Sequence, residues 1–388
     1  MSAFGPYIVA IGIAGGLVGA YFEVAQASAD FCPPHCASGK VRLGISAPTS
    51  GPPAAFGQQA VKPTEVAVHE LNTAGGLMGR PAELVVGDDR CGPSDAVEVA
   101  KRLIEKDKIN VVIGPICPPA ATAAAPIYAK AGVIQFLPTV PMMEFMRQSS
   151  DKIFRMVVTD EQEAKALGDY LAREQKGKKL TVVYTDAFYR RAMVEMIKAA
   201  LPADMKVSTQ FKPLLDSSSA YDRLAEQLQR DQPDVVYLAL DNPMVVELVG
   251  RLRKGSVKHL LVGGQRLLSQ NFWSTAREAA EGIHVIAPIG SPTNFDFRKT
   301  IDLIKQADVV PDLVALNSYA AVQTWSEAVR RAGGGDPAKV VEALRTGEFP
   351  TAVGLVAFDQ QGNRRNVHYS VLSWEGGRLR PRVTGDQQ

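Results

Sequence analysis

With 388 residues and a formal net charge of +2, the chain can bury a large core but offers no electrostatic case for nucleic acid or a membrane surface. Its 22% of charged residues and lack of long low-complexity tracts read as a soluble protein of two domains. Four cysteines suit up to two disulfides in an oxidising compartment.

The N-terminus agrees with export. Tyr7 to Phe22 is apolar and uncharged, and Ala27-Ser28-Ala29 forms a small-residue cleavage site, so residues 1–29 are expected to be a cleaved signal peptide. The run is short for a transmembrane span and has no Lys or Arg before it, which leaves an uncleaved anchor as the alternative. Residues 30–39 follow as a segment holding Cys32-Pro33-Pro34-His35-Cys36. A disulfide loop, a redox pair and a metal site all stay open there. The order is not that of haem attachment, and no lipobox precedes Cys32.

From Val41 onward, strand and helix patterns alternate. Val41 to Ser46 reads as a strand, and a helix carrying Val61, Thr64, Val68 and Leu71 ends at Gly75-Gly76. Leu84 to Val86 is a strand. Ser94 is expected to cap a helix burying Ala96, Val99, Ala100, Leu103 and Ile104. Ile109 to Ile113 and Val133 to Leu137 are strands around an Ala-rich helix. The pattern then restarts: helix 161–174, strand 180–184, helix 193–201, strand 207–211, a helix from Ser218, and strand 235–240. Lys106-Asp107-Lys108-Ile109-Asn110-Val111-Val112 resembles Arg230-Asp231-Gln232-Pro233-Asp234-Val235-Val236, hinting at two similar halves. Leu355 to Phe358 and Val367 to Trp374 close the chain. Such alternation predicts α/β architecture with parallel sheets, whose ligands bind at the carboxyl ends of strands.

Cys91 and Cys117 each lie just after a predicted strand, the two strands being read as neighbours in one βαβ unit of an exported chain, so a disulfide between them is favoured over two buried thiols. No enzyme signature is present: the loop Ala47 to Pro52 lacks both a dinucleotide fingerprint and a Walker lysine, and there is no Gly-x-Ser-x-Gly. The histidines show no metal spacing outside Cys32–Cys36. No enzyme activity and no cofactor are therefore expected. The better candidates for function are groups after strands: Phe56, Tyr189, Asp241 and Asn242, with Tyr319 on a helix.

Ser50-Gly51-Pro52 with Phe56-Gly57, Leu71-Asn72-x-x-Gly75-Gly76, Asp88-Asp89-x-Cys91, Val112-Ile113-Gly114 with Cys117, Tyr319-Ala320-Ala321-Val322 and Phe358-Asp359-x-x-Gly362 together resemble the Leu/Ile/Val-binding protein family. These are the type I periplasmic solute-binding proteins of branched-chain amino acid ABC transporters. The likeness covers residues 40–375. It implies two Rossmann-like lobes with parallel sheets joined by three hinge crossovers near 157, 286 and 352. Lobe I would comprise 40–157 plus 286–351, and lobe II 158–285 plus 352–388. The Cys91–Cys117 bridge would be the family's own.

The resemblance also assigns a pocket, from which this chain departs. The serine that follows the family's second cysteine and holds the ligand carboxylate is here Pro118, which lacks both hydroxyl and N–H. Thr139 and Val140 lead to Pro141, where a second carboxylate-binding Thr or Ser is usual. The acid that pairs with the ligand ammonium matches Gln265, which is neutral. Phe56, Tyr189 and Tyr319 match aromatic wall positions. Asp241 is a substitute anion, and Arg190, Arg191 or Arg266 a substitute cation. An unpartnered buried charge costs several kcal/mol, comparable with the roughly 8 kcal/mol of a micromolar complex, so an ordinary branched-chain amino acid is not the expected ligand. The expected function is a monomeric periplasmic binding protein that captures a small organic acid, amide or amino-acid-like ligand by hinge closure and docks on an ABC permease. A periplasmic sensor, or a redox or metal module built on Cys32, His35 and Cys36, is the alternative.

Overall fold

The computed structural model describes residues 39–141, 151–185, 188–206, 209–255, 259–288, 297–365 and 367–382. The signal-like segment, Cys32, His35 and Cys36 lie outside the described residues. The chain folds as two compact units, the first from residues 39–140, 151–156 and 297–365, the second from 141, 157–288 and 367–382.

In the first unit, β1 (Val41–Ala47), β2 (Ala82–Asp88), β3 (Val111–Ile113), β4 (Ile134–Leu137) and β5 (Ile153–Arg155) form a parallel sheet in the order β2-β1-β3-β4-β5. Between them run α1 (Ala54–Thr73), α2 (Pro93–Glu105) and α3 (Pro118–Lys130). The central strands are apolar because helices cover them: Leu43, Ile45, Val111, Val112 and Phe136 are buried. Gly75 and Gly76 end the turn after α1 with positive φ, and a Cβ at Gly76 would lie 2.2 Å from the Arg80 carbonyl oxygen. Gly92 is the N-cap of α2 and Pro93 occupies its first turn, so Ser94 lies inside the helix and does not cap it. Proline's fixed φ and missing N–H suit that entry.

In the second unit, β6 (Leu180–Thr185), β7 (Gln210–Leu214), β8 (Val235–Ala239), β9 (Leu260–Gly263) and β10 (His284–Pro288) are parallel, in the order β7-β6-β8-β9-β10. β13 (Tyr369–Glu375) and β14 (Arg378–Pro381) extend the sheet antiparallel beyond β10. In chain order, both units therefore wind 2-1-3-4-5. The two resembling segments, each ending in a Val pair, lead into the third strand of each, β3 and β8. The strand expected over 207–211 is β7, at Gln210–Leu214. It includes Pro213, which a sheet edge tolerates because no ladder partner is needed on its outer side.

The second unit also comprises α4 (Asp160–Glu174), α5 (Phe188–Ala200), α6 (Ala203–Lys206), α7 (Ser218–Asp231), α8 (Asn242–Lys254) and α9 (Gln270–Ala276). The first unit is completed by α10 (Phe297–Gln306), α11 (Leu313–Ala332) and α12 (Pro337–Thr346), with the hairpin β11 (Glu348–Thr351) and β12 (Gly354–Ala357). Sequence reading moves the chain to the other lobe near 352, but residues 352–365 stay with the first unit. Phe358 packs against Phe154 and Phe136, with ring centroids 5.0 and 6.3 Å away, and Arg155 N–H donates to the Gly362 carbonyl at 2.7 Å. This stretch is held on β5 by packing that no local pattern announces.

His284 in β10 is buried beside Tyr170 (2.9 Å) and Arg382 (3.1 Å), both at Nδ1. Arginine only donates, so Nδ1 is the acceptor and the ring proton sits on Nε2. Burial, and after it the Arg382 charge, push the His284 pKa down to about 4. A depressed folded value means the unfolded state binds the proton more readily. His284 therefore contributes stability above pH 6.5 that is lost as pH falls toward 4, by up to about 3 kcal/mol. Urea midpoints at pH 7 and 4.5 should show this loss, and His284→Gln should reduce it.

Candidate functional site

The β1 and β3 exits mark the point where strand order reverses in the first unit, and the β6 and β8 exits do so in the second. At the first, Asp88 organises the loop after β1: its carboxylate accepts from Thr49 N–H (2.8 Å) and Ser50 Oγ (2.6 Å). Burial acts to raise the Asp88 pKa, but hydrogen bonds from Ser50, Thr49 and Arg90 outweigh it and leave the group below its ordinary value. Asp89 is more enclosed. Burial raises its pKa even though it accepts from Cys91 N–H (2.9 Å) and Ser46 Oγ (2.7 Å).

Cys91 and Cys117 form a disulfide with Cα atoms 5.3 Å apart. Their strands, β2 and β3, are not neighbours, since β1 lies between them. Positive φ at Arg90 and Cys91 accompanies the turn that carries the cysteine across. Phe56, in the first turn of α1, is 38% exposed, an apolar ring left in the open at the β1 exit.

Cys117 is the N-cap of α3, with Pro118 and Pro119 its first two residues. A helix start normally offers backbone N–H groups to an anion. Here two of those positions, Pro118 and Pro119, have none. Thr139, after β4, donates its hydroxyl to the Ile116 carbonyl (2.5 Å). Asn317 Nδ2 donates to the Pro138 carbonyl (3.0 Å), while its buried Oδ1 has no hydrogen-bond partner. Val140 and Pro141 are buried. Tyr319 is buried in α11, its hydroxyl donating to Glu70 of α1, whose other oxygen pairs with Lys299 at 2.7 Å.

In the second unit, Asp241 at the β8 exit is the N-cap of α8 and faces Arg266 at 3.9 Å. Gln265 opens the 3₁₀ turn Gln265–Leu268 after β9. Tyr189 lies in the first turn of α5, and its side chain, like that of Arg190, is outside the described residues. Arg191 is exposed.

Sequence reading missed Glu163. It is buried in the first turn of α4, where Oε1 accepts from Tyr237 Oη (3.1 Å) and Oε2 from Gln265 N–H (3.3 Å). Burial and then Asp160 raise its pKa, while Arg266 and the two hydrogen bonds oppose the shift. Gly264 leaves room for that carboxyl, since a Cβ there would lie 1.9 Å from Oε1 and displace the side chain. The signal was available: Glu163 precedes Leu167, Tyr170 and Leu171 by four, seven and eight residues, on the buried stripe of the helix. Glu163, Met193, Tyr237, Leu240, Gly264 and Arg266 help to line a cavity of ≈ 10 Å³, about the room one water needs. Among the described residues, no cluster of three His, Cys, Asp or Glu side chains suits a metal ion.

The family model for periplasmic binding proteins matches residues 40–378. The chain belongs to the periplasmic binding protein family. Among its relatives are a Leu/Ile/Val-binding protein of Rhizobium johnstonii, 26% identical over 91% of this chain and 96% of that protein, and a leucine-, isoleucine-, valine-, threonine- and alanine-binding protein of Pseudomonas aeruginosa, 26% identical over 92% and 96%. The fold is that of a leucine-binding protein from Thermotoga maritima, with TM-score 0.74, 21% identity, and 88% of this chain and 98% of that one covered. A solute-binding protein of an ABC transporter from Rhodopseudomonas palustris, solved in complex with benzoate, matches with TM-score 0.72, 21% identity, and coverage of 88% and 95%. This periplasmic binding protein thus shares one fold with proteins that bind amino acids and with one that binds an aromatic acid.

Proposed function

We propose that this periplasmic binding protein is the solute-capturing component of an ABC transporter, acting as a monomer in the periplasm after removal of its signal peptide. A small organic ligand engages the strand-exit residues and is captured by hinge closure, without covalent chemistry, for delivery to a membrane permease. Phe56, Pro118, Thr139, Val140, Tyr189, Asp241, Gln265 and Tyr319 are the proposed ligand-binding set. The ligand is an aromatic or short organic acid, or an amide, and not a branched-chain amino acid.

The observation that supports this reading is the start of α3. Where the resemblance places a carboxylate-binding serine, Pro118 and Pro119 remove both the hydroxyl and two backbone donors. Gln265 removes the matching negative charge for an ammonium. A zwitterion's carboxylate and ammonium would then each lose the partner that the resemblance assigns to them.

The test is a thermal-shift screen of residues 30–388, unfolded and refolded to strip bound ligand. Benzoate, 4-hydroxybenzoate, short aliphatic acids or the corresponding amides should stabilise the protein by about 2.7 kcal/mol at a hundred times the dissociation constant. Stabilisation by leucine or valine would overturn the ligand assignment.

A further inference from the structure

Glu163 and Arg266 line the same small cavity, and Arg266 also faces Asp241 at 3.9 Å. One guanidinium thus stands between two acids, one of them enclosed and the other at the β8 exit. Among the described residues, the remaining groups around Glu163 add no further cation: Asp160 comes from its own helix, Tyr237 from β8, the Gln265 amide from the turn, and the uncharged Met193 from α5. With the start of α3 short of donors, Arg266 is, among the described side chains, a cation at a strand exit placed to take a ligand carboxylate.

We propose that the second unit captures an organic anion together with a proton: the ligand's carboxylate takes Arg266, and Glu163, which shares that cation, is protonated from solvent in the same event. This rests on the reading that the strand exits of the second unit hold the ligand. Arg266 and Asp241 both reach solvent, whereas Glu163 is buried, so the cost of a third negative group around one guanidinium falls on Glu163 and is relieved when that carboxylate is neutralised. Glu163 is built for that change. Protonated, it donates its new O–H to the Tyr237 oxygen, which can accept as well as donate, while the other oxygen keeps accepting from Gln265 N–H. The Gly264–Arg266 turn therefore keeps its support in either state. Glu163 is accordingly a positioning residue with a second role, setting the proton stoichiometry of binding.

The experiment is calorimetric titration with benzoate, and with benzamide as its uncharged analogue, from pH 5 to 8 in two buffers of different ionisation heat. Benzoate should bind with proton uptake and weaken with rising pH, by at most about tenfold per unit for a single linked proton. Benzamide should bind without uptake. Glu163→Gln, which presents an oxygen to Gln265 N–H and an NH₂ to Tyr237, should keep benzoate binding but lose the uptake; equal uptake in this variant and the wild type overturns the proposal. Silence of both probes would instead count against the reading beneath it, and a ligand-free arm decides the coupling by itself. Carbon-13 NMR should show the Glu163 carboxyl titrating higher in Arg266→Gln than in the wild type, and an unchanged midpoint overturns the shared-cation argument. That arm also stands if Glu163→Gln does not fold.

Discussion

Replacing Gly114 by alanine should destabilise the first unit by about 3–5 kcal/mol, combining left-handed strain with a contact that cannot relax. Gly114 has φ of +93°, and a Cβ there would lie 2.3 Å from the Ser46 carbonyl oxygen and 3.2 Å from the Ile116 amide. Both are backbone atoms, so no side-chain rotation makes room. Nor can Gly114 step aside, because its N–H donates to the Phe136 carbonyl (2.7 Å) and its carbonyl accepts from Gln135 Nε2 (2.9 Å). Relief must come from parting the β1 and β3 exits, which carry Phe56 and Pro118. Urea unfolding measures the loss, and ligand binding in the folded fraction should weaken with it. A loss under about 1 kcal/mol would show that the two exits are not clamped.

Trp374→Ala should cost about 3–5 kcal/mol and act on the second unit. Trp374 is 1% exposed, stacks on Trp273 with centroids 5.4 Å apart, and packs on Phe272 at 6.3 Å. Its Nε1–H donates to the Leu267 carbonyl at 3.0 Å, inside the turn that presents Gln265 and Arg266. Trp374→Phe separates the two contributions. It keeps most of the packing but leaves the Leu267 carbonyl unpaired, a loss of about 1–3 kcal/mol. The phenylalanine variant should also loosen the 265–268 turn, read as faster amide exchange there than at β8. Equal exchange would confine Trp374 to packing.

Much of this protein was legible because its signals are local. Apolar periodicity located β1, β3, α2 and β8, and the two Val-pair segments pointed to two halves that wind alike. Two expectations were overturned, one by an adjacent residue and one by distant ones. Ser94 has the chemistry of a cap, but Pro93 before it already starts the helix. Residues 352–365 look like the opening of a closing lobe, yet Phe154, Phe136 and the Arg155 amide hold them to β5.

The candidate site divides in the same way. Pro118, Pro141 and Gln265 declare their chemistry in sequence, because a missing N–H, hydroxyl or charge belongs to the residue itself. Periodicity and turn chemistry likewise determine that the chain alternates strand and helix, since each depends on residues a few positions apart. Only the tertiary structure decides that β1 separates the bridged cysteines, that Glu163 shares its cavity with Arg266, and that Gly264 leaves room for the carboxyl. Those facts join residues far apart in the chain, the cysteines by 26 positions and Glu163 to Gly264 and Arg266 by about a hundred. The free energy that selects them lies in burial and paired polar groups, which exist only once the sheet has brought its strand ends together.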